Sequence, residues 1–277
     1  MTQTEPEDLT QGLFAPAVAD DPHPAYSKMR RECPVMRGTM MDMPMVFISG
    51  YEDAVWALRH PDIFSSENTI SLGEQPLIPE EIDPPRHTAY RRLLNPQFVP
   101  REIERLEPDV RATVNDLIDR FAPNGSCDFH EEFATPLPSG IFLALMGLPR
   151  SDLPLFLKWR DDSIRPDVEP GDFEGAKAIR DAAGQEISNY FRKSIAECRR
   201  NPVDTMLSRI VHSEIDGVPL SEPELLGISH LLLLGGLDTV TATLDCMIVF
   251  LAQNADYRQQ IIDDPGCVPA AVEELLR

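Results

Sequence analysis

The chain has 277 residues, enough for one large domain or two ordinary ones around an ample core. Its 42% hydrophobic and 26% charged residues are the balance of a soluble globular protein. With 25 Lys plus Arg against 46 Asp plus Glu the net charge is −21, which argues against a nucleic-acid binder, although Arg86, Arg91, Arg92, Arg101 and Arg105 form one candidate basic cluster.

Residues 1–20 read as a loose acidic arm. The start, Met1 to Asp8, is acidic and polar, with neither the apolar core of a secretory leader nor the Arg-rich pattern of a transit peptide. Cys33, Cys127, Cys198, Cys246 and Cys267 are scattered, odd in number and without CxxC spacing, which suits reduced thiols in a cytoplasmic protein. A short helix is expected over Ala25–Glu32, a strand over Met45–Ser49 ended by Gly50, and a helix over Tyr51–Arg59 stopped near Pro61. Residues 65–82 show no periodicity and contain scattered Gly and Pro. A loop of that length in a compact domain is usually functional.

From Arg86 onward helices dominate, expected over 86–95, 101–121, 139–146, 151–162, 173–199, 202–210, 222–252, 255–263 and 268–277. Ile215-Asp216-Gly217-Val218 is a hairpin-like turn. Ser221-Glu222-Pro223-Glu224 has the capping-box pattern of a helix start. Leu225 to Leu251 is the one candidate membrane span, but it carries His230, Asp238 and Asp245. Each Asp at mid-bilayer would cost about 2.5–3.5 kcal/mol, so the segment reads as a long buried helix. No repeat, low-complexity tract or linker divides residues 21–277, which are expected to form one mainly α domain with a small β subdomain.

Several chemistries are excluded by absent motifs. GxGxxG and GxxxxGK[ST] do not occur. Gly227-Ile228-Ser229-His230-Leu231 lacks the second Gly of a nucleophile elbow. Phe129-His130-Glu131-Glu132-Phe133 has no second His for a zinc site, and the six His have no ligand spacing.

Three constellations remain. The first is Leu231-Leu232-Leu233-Leu234-Gly235-Gly236-Leu237-Asp238-Thr239. Each interior Gly costs roughly 0.5–1 kcal/mol against Ala, so two in succession need a reason. A flat, bulky group approaching the backbone is one. A local opening, with Thr239 or a water taking a freed carbonyl, is another. A close helix–helix crossing is a third. Leu231, Leu234, Gly235, Asp238 and Thr239 share one face, an apolar wall ending in an acid and a hydroxyl suited to proton handling. The second constellation is Asp83-Pro84-Pro85-Arg86-His87-Thr88-Ala89-Tyr90-Arg91-Arg92, where His87 and Arg91 at i, i+4 form either a solvated face or a pair of donors to one carboxylate or phosphate. The third is Glu274-Leu275-Leu276-Arg277, an i, i+3 pair that alone is ordinary surface decoration.

In this order and at these distances, the three constellations resemble the cytochrome P-450 superfamily of haem-thiolate monooxygenases, of the soluble bacterial class. The resemblance runs from about Pro22 to the end. It includes Asp21-Pro22-His23-Pro24-Ala25-Tyr26, Val46 to Ser66, Asp83 to Arg92 and Ile141-Phe142-Leu143-Ala144-Leu145-Met146-Gly147-Leu148-Pro149, and ends in Glu273-Glu274-Leu275-Leu276-Arg277. Gly235 to Val240, with Pro269-Ala270-Ala271 before Glu273, is most similar to the camphor-hydroxylase branch.

That resemblance implies the N-terminal two-thirds of the fold, a haem b cofactor, and electrons from NAD(P)H through a ferredoxin-type partner. The implied reaction is insertion of one oxygen atom from O2 into an apolar, terpenoid- or steroid-like small molecule, with neither nucleic acid nor membrane as partner. Gly235 and Gly236 would bring the helix close to the porphyrin. Thr239 would hold hydrogen-bonded water, and Asp238 would relay protons. Leu231 and Leu234 would line the substrate pocket, with Gln75 facing it from the 65–82 loop. His87 and Arg91 would bind a haem propionate, and Glu274 with Arg277 would be a structural pair. The family's thiolate Cys lies in a loop beyond the Glu-x-x-Arg helix. The expectation is therefore that no metal ligand lies within these residues, that the axial Cys belongs beyond Arg277, and that the polypeptide as given, a truncated product or a partial record, is inactive alone. The alternative from a different class is a non-catalytic helical fragment that binds an apolar ligand or a partner protein.

Overall fold

A computed structural model describes residues 18, 21–40, 43–67, 75–169 and 171–277. The chain forms two compact units, residues 1–66 and 67–277. In the first, helix α1 (His23–Glu32) precedes an antiparallel pair, β1 (Val35–Met40) and β2 (Met43–Ile48), with Val35 opposite Ile48 and Met40 opposite Met43. Helix α2 (Tyr51–Leu58) follows. Sequence pattern located β2 but not β1, where Gly38 and the polar Arg37 weaken the strand signal although Met36 is buried.

The second unit is helical. Helix α3 (Arg86–Leu94) is followed by α4 (Pro100–Glu104) and α5 (Glu107–Phe121). The single helix expected over 101–121 is thus divided, because Pro108 lacks an N–H and suits only the first turn of a new helix. A π-helical turn (His130–Ala134) leads into α6 (Pro136–Met146), which ends at Gly147 with φ +74°. Then come α7 (Leu153–Ile164), α8 (Phe173–Arg200) and α9 (Met206–Val211). The expected hairpin is β3 (Glu214–Ile215) and β4 (Val218–Pro219), turned by Asp216 and Gly217, both at positive φ. Helices α10 (Glu222–Leu237), α11 (Thr239–Gln253), α12 (Ala255–Asp263) and α13 (Val268–Leu275) complete the chain.

The core forms around α10, which packs against α6, α7, α8 and α9. Leu225, Leu226, Ile228, Leu233, Leu234 and Leu237 are buried, so α10 is apolar nearly all round, as a central helix must be. Against it stands an aromatic cluster. Phe156 of α7 lies 5.2 Å from both Trp159 and Tyr190, and 6.1 Å from Phe142 on α6, ring centre to ring centre. The two polar tips leave the cluster to find partners: Trp159 Nε1 donates to Glu186 and the Tyr190 hydroxyl donates to Asp152.

The long buried helix expected over 222–252 holds only for its first half. On α11 Thr241 alone is buried, and Val240, Ile248, Val249 and Phe250 are exposed. The difference is one of neighbours. Four helices, α6, α7, α8 and α9, enclose α10, whereas the π turn and α12 are the main described elements packed on α11 beyond α10 itself. By length and composition the 32 residues Glu222–Gln253 would suffice to cross a membrane. Instead their first half forms the centre of a protein core.

Candidate active site

The capping box is formed as its spacing implies. Glu224 N–H approaches Ser221 Oγ, and the Glu224 carboxylate accepts from Ser221 N–H at 2.7 Å. Helix α10 then runs to Leu237 and breaks at Asp238 (φ −104°, ψ −48°) before α11 begins at Thr239. A row of hydroxyls serves the carbonyls around the break. Thr239 Oγ1 donates to Gly235 O at 2.7 Å, Thr241 Oγ1 to Leu237 O at 3.0 Å, and Thr243 Oγ1 to Thr239 O at 2.8 Å. Such back-bonding to the fourth preceding residue bends helices. The alternation Thr239-Val240-Thr241-Ala242-Thr243 carried this signal, though sequence reading singled out only Thr239.

The two glycines do different things. A Cβ on Gly236 would lie 2.7 Å from Cδ2 of Phe142, so Gly236 admits the close crossing of α6 and α10. A Cβ on Gly235 would meet no atom within 4 Å. Gly235 is exposed although it sits in an otherwise buried helix, beside the carbonyl that Thr239 bonds. Of the face read from sequence, Leu234 is buried, Leu231 and Asp238 are half-buried, and Gly235 and Thr239 are exposed. That face is therefore an apolar wall ending in an open backbone step with an acid and a hydroxyl.

Two partners were missed. Arg165, at the C-terminus of α7, reaches the Asp238 carboxylate at 2.5 Å, and more than half of its side chain is exposed. Below the break, His130 Nδ1 of the π turn lies 2.6 Å from Asp245 Oδ2, and Thr241 Oγ1 also donates to Ala134 O at 3.0 Å. The π turn therefore pins α11 at two points just after the break. Both acids were visible in sequence, but their partners are 73 and 115 residues away.

His87 is half-buried and Arg91 exposed, one turn apart on α3. Neither pairs with a carboxylate among the described residues. The neighbouring Arg86 has the structural task on this helix. Its Nη2 donates to Glu224 at 2.7 Å and to the Tyr90 oxygen at 2.8 Å, and the Tyr90 hydroxyl donates to Glu224 at 2.6 Å. Burial and then the Glu224 carboxylate push the Tyr90 phenol up to about 12. Burial alone would raise Glu224, but hydrogen bonds from Ser221 and Tyr90, and the Arg86 charge, leave it below the usual carboxylate range. This knot ties the start of α3 to the start of α10. Gln75 is half-buried just before residues 76–78, which lie on α10. Glu274 and Arg277 pair at 3.5 Å, both exposed.

One buried group lies close to the wall without having been assigned a role. His230 is 6% exposed, and its Nε2 has no hydrogen-bond partner among the described residues. Burial lowers its pKa to about 4, so the imidazole is neutral.

No protein-family model matches the chain. Curated relatives do. The chain is 32% identical over 282 residues to a steroid C26-monooxygenase of Mycobacterium tuberculosis, covering all of this chain and 68% of that protein. It is 32% identical over 286 residues to the cytochrome P-450 monooxygenase PikC of Streptomyces venezuelae, covering all of this chain and 67% of that one. Among solved structures, the bacillaene polyketide synthase cytochrome P-450 PksS of Bacillus subtilis superposes with a TM-score of 0.84 at 27% identity, over 95% of this chain and 67% of that one. The chain spans 62 to 68% of the length of the first curated relatives it matches.

The glycine geometry sets one expectation. In the haem-free protein Gly236→Ala loses about 1–3 kcal/mol to overpacking against Phe142, while Gly235→Ala loses nothing and gains up to about 1 kcal/mol of helix propensity. Urea unfolding of the two variants tests this, and equal midpoints would refute the distinction. His230 sets another. Its folded pKa lies below the unfolded one, so its stabilising contribution is complete above pH 6.5 and is lost as pH falls toward 4, up to about 3 kcal/mol. The urea midpoint of His230→Gln should therefore fall less than wild type between those pH values. Parallel pH curves would show that His230 does not titrate in this way.

Proposed function

The chain belongs to the cytochrome P-450 superfamily, and on that premise we propose that residues 21–277 form the oxygen-side part of a monooxygenase for an apolar, terpenoid- or steroid-like small molecule. One oxygen atom of O2 enters the substrate and the other leaves as water. Electrons come from NAD(P)H through a ferredoxin-type protein. The observation that carries this reading is the break in α10: an open backbone step at Gly235, with its carbonyl held by Thr239 and the Asp238 carboxylate alongside. That relatives across the whole chain are themselves monooxygenases favours catalysis over a ligand-binding fragment without redox chemistry.

The residues present fit a haem. The helix offers a face where a Cβ built at Gly235 would have no neighbour within 4 Å, room that suits a flat macrocycle. On α3, His87 and Arg91 are two donors one turn apart without a carboxylate of their own, which suits a propionate, with charge assistance from the Arg. When bound, the haem iron supplies the dioxygen chemistry that no side chain here provides.

The protein's own groups have distinct tasks in this proposal. Leu231 and Leu234 give an apolar wall that excludes bulk water from the reacting face. Gln75 offers an amide to orient a polar substituent of the substrate. Thr239 holds a hydroxyl at a fixed point because Gly235 O fixes its rotor, and its oxygen remains able to accept a proton-bearing partner. Asp238, next in the chain to Thr239, pairs with the exposed Arg165 near the boundary with solvent, where a carboxylate can pass protons inward. Gly236 serves the helix crossing, so contact with the cofactor on this helix is assigned chiefly to Gly235. Glu274 and Arg277 remain a structural pair. The five cysteines receive no iron-binding role: none lies on α3 or α10, and burial raises the Cys198 thiol. Bacterial relatives, and a helix whose first half is enclosed by protein, support a soluble cytoplasmic location.

Two substitutions test these roles. Arg91→Ala is expected to weaken haem retention about tenfold, the loss of one charge-assisted contact, read as Soret absorbance left after gel filtration. Full occupancy in the variant would remove the propionate assignment. Thr239→Ala in the haem-loaded, electron-supplied enzyme is expected to keep O2 consumption but divert it from product. Unchanged coupling would rule out the hydroxyl's role in proton delivery.

A further inference from the structure

Residues 76–78 lie directly on the central helix at Gly227. A Cβ on Gly227 would stand 2.4 Å from the Pro76 carbonyl oxygen and 3.2 and 3.3 Å from Cγ1 and Cδ1 of Ile78. The first contact is with backbone, so it cannot be relieved by a rotamer change. Ile78 N–H points to Gly227 O at 3.4 Å, and Leu77 and Ile78 are buried in the core that α10 organises. Glu81, itself 4% exposed, holds the stem from its other side: its Oε2 accepts from Leu77 N–H at 2.8 Å, and its own N–H donates to Leu77 O at 2.8 Å. The stem is thus a closed turn seated on bare helix backbone.

Gly227, Leu231 and Leu234 stand at i, i+4 and i+7, on one face of α10. The segment that begins with Gln75 therefore meets the helix on the face of the two wall leucines, one turn before Leu231. We propose that Gly227 is a specificity-determining position: by letting residues 76–78 rest on the helix backbone, it sets where Gln75 stands relative to Leu231 and Leu234, and so the size of apolar molecule admitted. This rests on the monooxygenase reading above and adds a residue that touches no substrate. Any side chain at position 227 lifts the stem by the volume of at least a methyl group. Because Glu81 closes the turn, the stem moves as a unit and carries Gln75 with it.

The test uses two probes that share a steroid nucleus and differ by an alkyl side chain, testosterone and cholest-4-en-3-one. Their binding to the haem-loaded chain is measured by equilibrium dialysis, with hydrogen exchange at the Leu77 and Ile78 amides followed in parallel. Gly227→Ala is expected to speed exchange at both amides and to change the ratio of the two Kd values by about tenfold. Should Gly227→Ala not fold, Glu81→Ala, which removes the side-chain acceptor of Leu77 N–H, is expected to shift the ratio in the same direction. Faster exchange with a Kd ratio unchanged within about twofold would overturn the proposal and leave the monooxygenase reading standing. A wild-type chain that binds neither steroid would remove the steroid-like substrate class, and this inference with it.

Discussion

A buried helix can be interrupted only where something other than its own amides satisfies the carbonyls it frees. Here the interruption at Asp238 is sustained by hydroxyls of Thr239, Thr241 and Thr243, each bonded to the carbonyl four residues back. The rest of the site follows from that constraint. Because Thr239 spends its proton on Gly235 O, its hydroxyl is fixed in direction. Because the chain turns at Asp238, the carboxylate leaves the core and meets Arg165 at the edge of the protein. Beyond the break α11 buries little of its own surface, and the π turn ties it down through His130 and the Ala134 carbonyl.

Adjacent glycines in this helix have opposite surroundings. Gly236 is closed by Phe142 and belongs to the packing of α6 against α10. Gly235 is open and belongs to the proposed cofactor face. The pair thus combines two of the explanations that the sequence left open, close crossing and room for a flat group. A single residue step, about 100° around the helix, separates the two.

Features encoded in neighbouring residues were legible beforehand. The capping box of Ser221 and Glu224 and the Asp216-Gly217 turn depend on spacings of one to three residues, and each occurs where the pattern placed it. Features encoded in tertiary contact were not. Arg165 and His130 look like ordinary surface residues until their acids arrive from distant helices. Gly227 looked like the start of a failed catalytic motif, and only the stem lying on it gives it a reason. Strand β1 was hidden by Gly38, and the exposed face of α11 by a hydropathy that equally describes a core helix. The family was recognisable because its signature is the order of several weak motifs, which survives where each motif alone says little.

The claim on which the rest depends is that the open step at Gly235 receives the haem. Titration of the haem-free chain with haem, followed in the Soret region for wild type and Gly235→Leu, tests it most directly. No neighbour stands within 4 Å of the Gly235 Cβ position, so the variant should fold with undiminished urea stability. Its haem affinity should nonetheless fall at least about tenfold, as expected when a side chain takes space the ligand needs. A folded variant that binds haem as tightly as wild type would contradict the placement of the cofactor against this helix.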